Sequence, residues 1–138
     1  MSAQTPTDAM LHSLLDLERI AVVGASTTPG KAAHDVPHYL SEQGYEIVPI
    51  NPFAETVLGR PAYDSLTEVD GLVELVDVFR PSKEVAGIVD EALARPDQPA
   101  VWLQRDITDD AAFARARAAG VTMVQDRCLK VEHQRLRS

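Results

Sequence analysis

A single cysteine, Cys128, stands in this chain of 138 residues. It leaves no internal disulfide to form, which agrees with a reducing compartment, and no cysteines and histidines cluster at zinc spacing. Positive charge is also short: 13 Lys and Arg face 21 Asp and Glu, for a formal net charge of -8. Counterion release from a polyanion needs a basic face, so no nucleic-acid partner is expected. A small anionic ligand stays open, because a local nest of backbone N–H groups holds phosphate against an unfavourable global charge. No run approaches the roughly eighteen apolar residues of a membrane span. Residues Met1 to Thr7 lack the basic region and apolar run of a secretory signal. The expectation is a cytoplasmic protein that does not enter a membrane. Internal repeats, low-complexity tracts and long linkers are missing too, and 45% hydrophobic with 25% charged residues is ordinary for a globular chain. A length of 138 residues fits one domain with one core, burying roughly two-thirds of the surface its unfolded state exposes.

What is present alternates between two periodicities. Thr5-Pro6 followed by Asp8, with Leu11, Leu14 and Leu15 at helical spacing, predicts a leading helix over 6–17. Arg19–Gly24 (RIAVVG) is a short β-branched run closed by glycine, the pattern of a buried parallel strand feeding a loop. A helix is expected from about Asp35 to Gln43, with Pro37 tolerated in its first turn, followed by Gly44 and a second strand over Glu46–Ile50. Residues 51–70 read as irregular, with a short strand at Thr56–Leu58. Leu72–Phe79 supplies the third strand, and Ser82 is the expected cap of a helix with the stripe Val85, Ile88, Val89, Ala92 and Leu93. Pro99–Leu103 is the fourth strand. Thr108 as cap, acids at 109 and 110, Arg115, Arg117 and Gly120 then bound another helix, before a fifth strand at Val121–Val124 and a short C-terminal tail. Strands alternating with helices predict an α/β fold: a Rossmann-like, doubly wound parallel sheet of about five strands with helices on both faces. Ligands of such sheets sit beyond the carboxyl ends of the strands, where strand order reverses.

The first strand opens into Gly24-Ala25-Ser26-Thr27-Thr28-Pro29-Gly30-Lys31, a small-residue loop whose amides can approach a pyrophosphate. A dinucleotide fingerprint would place glycine at 26 and 29, where Ser26 and Pro29 stand, and an acid after the second strand, where Asn51-Pro52 stands. Both departures argue against NAD. A nucleoside-triphosphate loop is missed as well, since five residues separate Gly24 from Gly30 and Ala32 replaces the hydroxyl that ligates magnesium. The bland alternative is a glycine-rich turn joining strand to helix. Lys31 weighs against it, because a cation beside a helix N-terminus is unfavourable unless an anion occupies the site.

Several segments together resemble the small single-domain CoA-binding protein family, whose fold is shared with the nucleotide domain of the succinyl-CoA synthetase α subunit. They are Val22-Val23-Gly24-Ala25-Ser26, Tyr39-Leu40 with Gly44-Tyr45, Ile47-Val48-Pro49-Ile50-Asn51-Pro52, and Gly59 with Tyr63-Asp64-Ser65-Leu66. They continue with Asp77-Val78-Phe79-Arg80, Val101-Trp102-Leu103-Gln104 and Asp126-Arg127-Cys128 followed by Glu132, so the likeness spans residues 20–132. It implies CoA or an acyl-CoA as ligand, with phosphates near the first loop and the rest along the ends of later strands. The family usually follows Trp-Leu-Gln with a variable residue and glycine, where this chain has Arg105-Asp106, and proline commonly follows Asp-Arg-Cys, where it has Leu129. A glycine at 106 would permit positive φ or close ligand approach, and an aspartate permits less of either.

The expected ligand-binding set is Gly24, Ala25, Ser26, Lys31, Asn51, Pro52, Phe79, Arg80, Lys83 and Gln104. Arg80 and Lys83, with Lys31, would surround phosphate charges; the alternative is solvated surface cations. Gln104 both donates and accepts, which suits the amides of pantetheine. Trp102 is read as core before adenine stacking, and Asp77 as a buried acid needing a structural partner. His34 and His38 share a helix face without an apparent third ligand, so no metal is expected. Cys128 is a small buried residue or a neighbour of the CoA thiol. No serine, histidine and carboxylate set stands out, so the function expected is a non-catalytic binding or sensing module, with an NAD(P)-binding redox sensor or oxidoreductase as the alternative. A homo-oligomer or protein partner stays open.

Overall fold

The computed structural model describes residues 5–137. Thr7, in extended conformation, accepts the Met10 N–H on its hydroxyl at 3.1 Å and so starts α1 (Asp8–Leu15), whose Leu11, Leu14 and Leu15 are buried. The chain continues through β1 (Arg19–Val23), α2 (Ala32–Glu42), β2 (Glu46–Ile50) and a small antiparallel pair, β3 (Thr56–Val57) with β4 (Arg60–Pro61). Then follow β5 (Leu75–Val78), α3 (Val85–Ala94), β6 (Ala100–Leu103), α4 (Asp110–Ala118), β7 (Met123–Val124) and α5 (Leu129–Arg137).

Five strands form one parallel sheet in the order β2-β1-β5-β6-β7. Because strand side chains alternate between faces, Ala21, Val48, Val76, Val78, Val101 and Leu103 pack under α3 and α4. Ile20, Val22, Ile47, Leu75, Trp102 and Val124 pack under α1, α2 and α5. This is the Rossmann-like α/β architecture the alternation predicts, with apolar clusters on both faces of the sheet.

Several boundaries differ from the sequence reading, four of them for a clear local reason. Helix α2 begins at Ala32 rather than Asp35, which puts Pro37 inside the helix. Proline has no N–H to give to the carbonyl four residues back, and that carbonyl, Ala33 O, instead accepts the Ser26 N–H at 3.1 Å. Ser82 does not cap α3; it opens a single 3-10 turn, Ser82–Glu84, and its hydroxyl accepts the Thr108 N–H at 3.0 Å. The cap of α4 is Asp109, whose carboxylate accepts the Ala112 N–H, and not Thr108. Residues after 128, expected as a tail, form α5. Its apolar residues are few, and it is held by Arg135 on Asp8 and by Arg137 on His12 O and Asp16.

The exit from β1 is the tightest point. Gly24 takes φ +87°, and a Cβ there would lie 2.8 Å from Arg80 Cδ and 3.0 Å from the Phe79 carbonyl oxygen. Gly30 has φ +95° but open space around the same position. Gly30→Ala is therefore expected to cost about 1 kcal/mol of conformational strain. Gly24→Ala should cost about 1–3 kcal/mol more, because a contact with backbone is added. Urea denaturation of the two variants measures the difference, and equal losses would remove the packing argument.

Candidate functional site

β1 pairs with β2 on one side and β5 on the other. The crossovers that leave β1 and β5 run in opposite directions, to β2 and to β6, and a crevice opens at the carboxyl ends where they part. A cavity of about 470 Å³ lies there, with Gly24, Ala25, Asn51, Pro52, Phe53, Ser65, Arg80, Glu84 and Glu91 in its wall. Of the expected residues it collects Gly24, Ala25, Asn51, Pro52 and Arg80. Ser26 and Lys31 belong to the same loop but not to the wall, and Phe79, Lys83 and Gln104 also lie outside it.

The loop is fixed mainly through backbone. Gly24 N–H donates to Ile50 O at 3.1 Å, and Asn51 Nδ2 donates to Ala25 O at 3.0 Å while its Oδ1 accepts the Phe53 N–H. Ser26 Oγ accepts the Thr28 N–H at 3.0 Å. Asp35 accepts from Gly30 N–H and pairs with His34 Nδ1 at 2.8 Å, and the His34 contact first, then Gly30, holds its carboxyl below the usual range. Lys31 stands at the N-cap position of α2 in extended conformation and caps nothing with its side chain. Among the described residues it forms no ion pair, so a cation and an uncapped helix start lie together. His34 and His38 stack at 5.9 Å, and among the described residues no third ligand groups with them.

Arg80 is engaged rather than free. Its Nε and Nη2 reach the two carboxylate oxygens of Glu84 at 3.1 and 2.7 Å. Lys83 is exposed and without an ion pair among the described residues. Phe79 is half-buried against the face under α2 and donates its N–H to Val23 O at 2.9 Å.

Asp77, fully buried on β5, accepts from Gln104 Nε2 at 2.6 Å, and its other oxygen has no hydrogen-bond partner among the described residues. Gln104 is itself buried and spends an amide proton on this bond. Burial pushes the Asp77 carboxyl up to about 7 against the opposing effect of the Gln104 bond. Trp102 is fully buried, its indole N–H on Arg127 O at 2.8 Å, so it takes the core role. Beyond β6 and β7 lies a second cavity of about 760 Å³, lined among others by Arg105, Asp106, Gln125, Arg127, Cys128 and Glu132. Sequence reasoning missed this cavity. Its turn is built by Asp106 at φ +68°, whose N–H donates to Asp126 Oδ1 at 2.7 Å. Aspartate thus adopts the left-handed conformation for which glycine is the usual residue.

The sequence model of the CoA binding domain matches residues 18–134. The chain belongs to that family. This CoA binding domain is 37% identical over 131 residues to YneT of Bacillus subtilis (strain 168), covering 94% of this chain and 96% of that one. A solved structure of a hypothetical protein from Pyrococcus horikoshii OT3 is 34% identical with a TM-score of 0.92, covering 100% of this chain and 97% of the other. Over 77 residues, 55% of this chain, the domain is 39% identical to the acetate–CoA ligase [ADP-forming] II subunit alpha of Pyrococcus furiosus. The match spans 17% of that subunit.

Asp77 has a folded pKa above its ordinary 3.8. Its stabilising contribution is therefore fully present below about pH 3.8 and is lost as pH rises through about 7. Asp77→Asn, which cannot ionise, is expected to lose less stability than the wild type between pH 5 and pH 8. Urea denaturation at the two pH values measures this, and identical losses would place the pH dependence elsewhere. Asp106→Val should cost about 1–2 kcal/mol in the same assay, because a β-branched residue resists positive φ.

Proposed function

We propose that this domain binds CoA or an acyl-CoA and works as a non-catalytic binding or sensing module. The observation that carries the reading is the coincidence of a family match over residues 18–134 with a small-residue loop at the point where strand order reverses. In this reading the phosphates lie against the loop Gly24–Lys31 and the uncapped start of α2, where Lys31 forms no ion pair among the described residues. Arg80 and Lys83 follow β5 on the far side of the crevice. The pantetheine arm runs along the carboxyl edge toward the second cavity and Cys128. From β1 to β7 is three strand spacings, about 14 Å in all, which an extended arm spans. The non-catalytic part rests on the wall chemistry: Ser65, a hydroxyl residue lining the first cavity, bonds Thr67 Oγ1 at 2.8 Å rather than a histidine.

Calorimetric titration with CoA, acetyl-CoA, NAD and ADP under identical conditions tests the reading. CoA or acetyl-CoA is expected to bind most tightly, and a preference for NAD would overturn it. Ser26→Tyr should weaken CoA binding by obstructing the backbone approach. Lys31→Ala should lower affinity and flatten its dependence on salt, since one screened charge pair is removed. Equal salt slopes before and after would make Lys31 a bystander.

A further inference from the structure

The crevice between β1 and β5 is a poor place for an anion as it stands. Its wall carries the carboxyl groups of Asp64, Glu84 and Glu91 beside the guanidinium of Arg80. That guanidinium is already taken, with Nε 3.1 Å and Nη2 2.7 Å from the two oxygens of Glu84. A planar fork meeting two oxygens is the geometry in which arginine also binds phosphate. Glu84 thus offers Arg80 the pair of acceptors that a phosphate would offer. The Arg80 stem passes over Gly24, where a Cβ would lie 2.8 Å from its Cδ. The side chain therefore lies across the start of the phosphate loop with its charge facing Glu84.

We infer that the Arg80–Glu84 pair is an internal latch on the ligand crevice, in which the Glu84 carboxylate competes with a ligand phosphate for Arg80. The inference rests on the CoA reading above and adds a residue that sets affinity. With side-chain exposures of 46% and 39%, the pair is wet enough for an ion pair to be held weakly and exchanged. A phosphate bearing two charges replaces a carboxylate bearing one, so Arg80 turns to the ligand and Glu84 is released to solvent. Glu84 accordingly penalises ligands with a single negative charge more than polyanionic ones.

Titration of CoA into the wild type, E84Q, R80A and the double variant R80A/E84Q tests the latch. Both side chains are partly exposed, and thermal unfolding of each variant confirms that the fold is kept. E84Q is expected to bind CoA roughly fivefold more tightly, the scale of one exposed ion pair, R80A more weakly than wild type, and the E84Q gain should vanish in the R80A background. A gain of the same size with and without Arg80 would mark a general charge effect and overturn the latch. So would wild-type binding that E84Q leaves unchanged, while the CoA reading would stand. Failure of both wild type and E84Q to bind CoA would overturn the reading and the latch together.

Discussion

At Gly24 the main chain leaving β1 lies against the main chain leaving β5, with the Phe79 carbonyl oxygen 3.0 Å from where a side chain would begin. This approach happens at the one place where the sheet reverses its winding, and it decides how wide the crevice above it opens. Phe79 N–H on Val23 O and Gly24 N–H on Ile50 O continue the sheet's hydrogen bonding to its last residues on both sides of β1. The loop that follows therefore starts from a backbone fixed in three strands. A side chain at 24 would push Arg80 and Phe79 outward, and the walls of the crevice would move with them.

Proline 37 carries the same constraint into the helix. In an unbroken helix the residue at 37 would donate to Ala33 O. Proline leaves that oxygen open, and the Ser26 N–H fills it at 3.1 Å. A residue that is costly inside a helix thus ties the loop to the first turn of α2 without any side-chain cap. Asn51 completes the tether by bonding Ala25 O from β2 and folding its own following turn onto Oδ1. Asn51 therefore has a structural task whatever else it contacts, and its place in the cavity wall follows from that task.

The sheet and most of its helices were legible because they rest on apolar periodicity and on glycine, which report locally. Helix α5 was not, since its apolar residues are few and its ties to the rest of the fold reach Asp8, His12, Asp16 and Tyr39, all far away in sequence. Glu132 meets Arg127 and Arg135, and His133 meets Tyr39 at 2.7 Å. The Glu132–Arg135 pair is local, but no pattern within residues 129–137 announces Tyr39. The site was legible to the same depth: the loop and Asn51-Pro52 could be placed from order along the chain. The engagement of Arg80 by Glu84 and of Gln104 by Asp77 could not, because each depends on rotamers chosen by packing. The start of α2 was misplaced for a related reason. The reading keeps Pro37 in the first turn, where its missing donor costs nothing, when its lost hydrogen bond is replaced by one from the loop.

In the CoA reading, a chain with a net charge of -8 must hold an anionic ligand with local charge alone. Many of its arginines are consumed in pairs: Arg19 on Glu46, Arg95 on Asp97, Arg115 on Asp90, Arg127 and Arg135 on Glu132, and Arg137 on Asp16. Lys31, Lys83 and Arg105, which form no ion pair among the described residues, follow β1, β5 and β6 and so lie on loops at the carboxyl edge. Distributed over three neighbouring strand ends, they suit charges spread along an extended molecule. Screening confines each of them to its own neighbourhood, since the Debye length is about 8 Å at physiological ionic strength. The global negative charge is then felt during approach, whereas a bound ligand feels the nearest cation and the nearest amides. Selectivity between anions has to come from how many of these separate positions one molecule can touch at once.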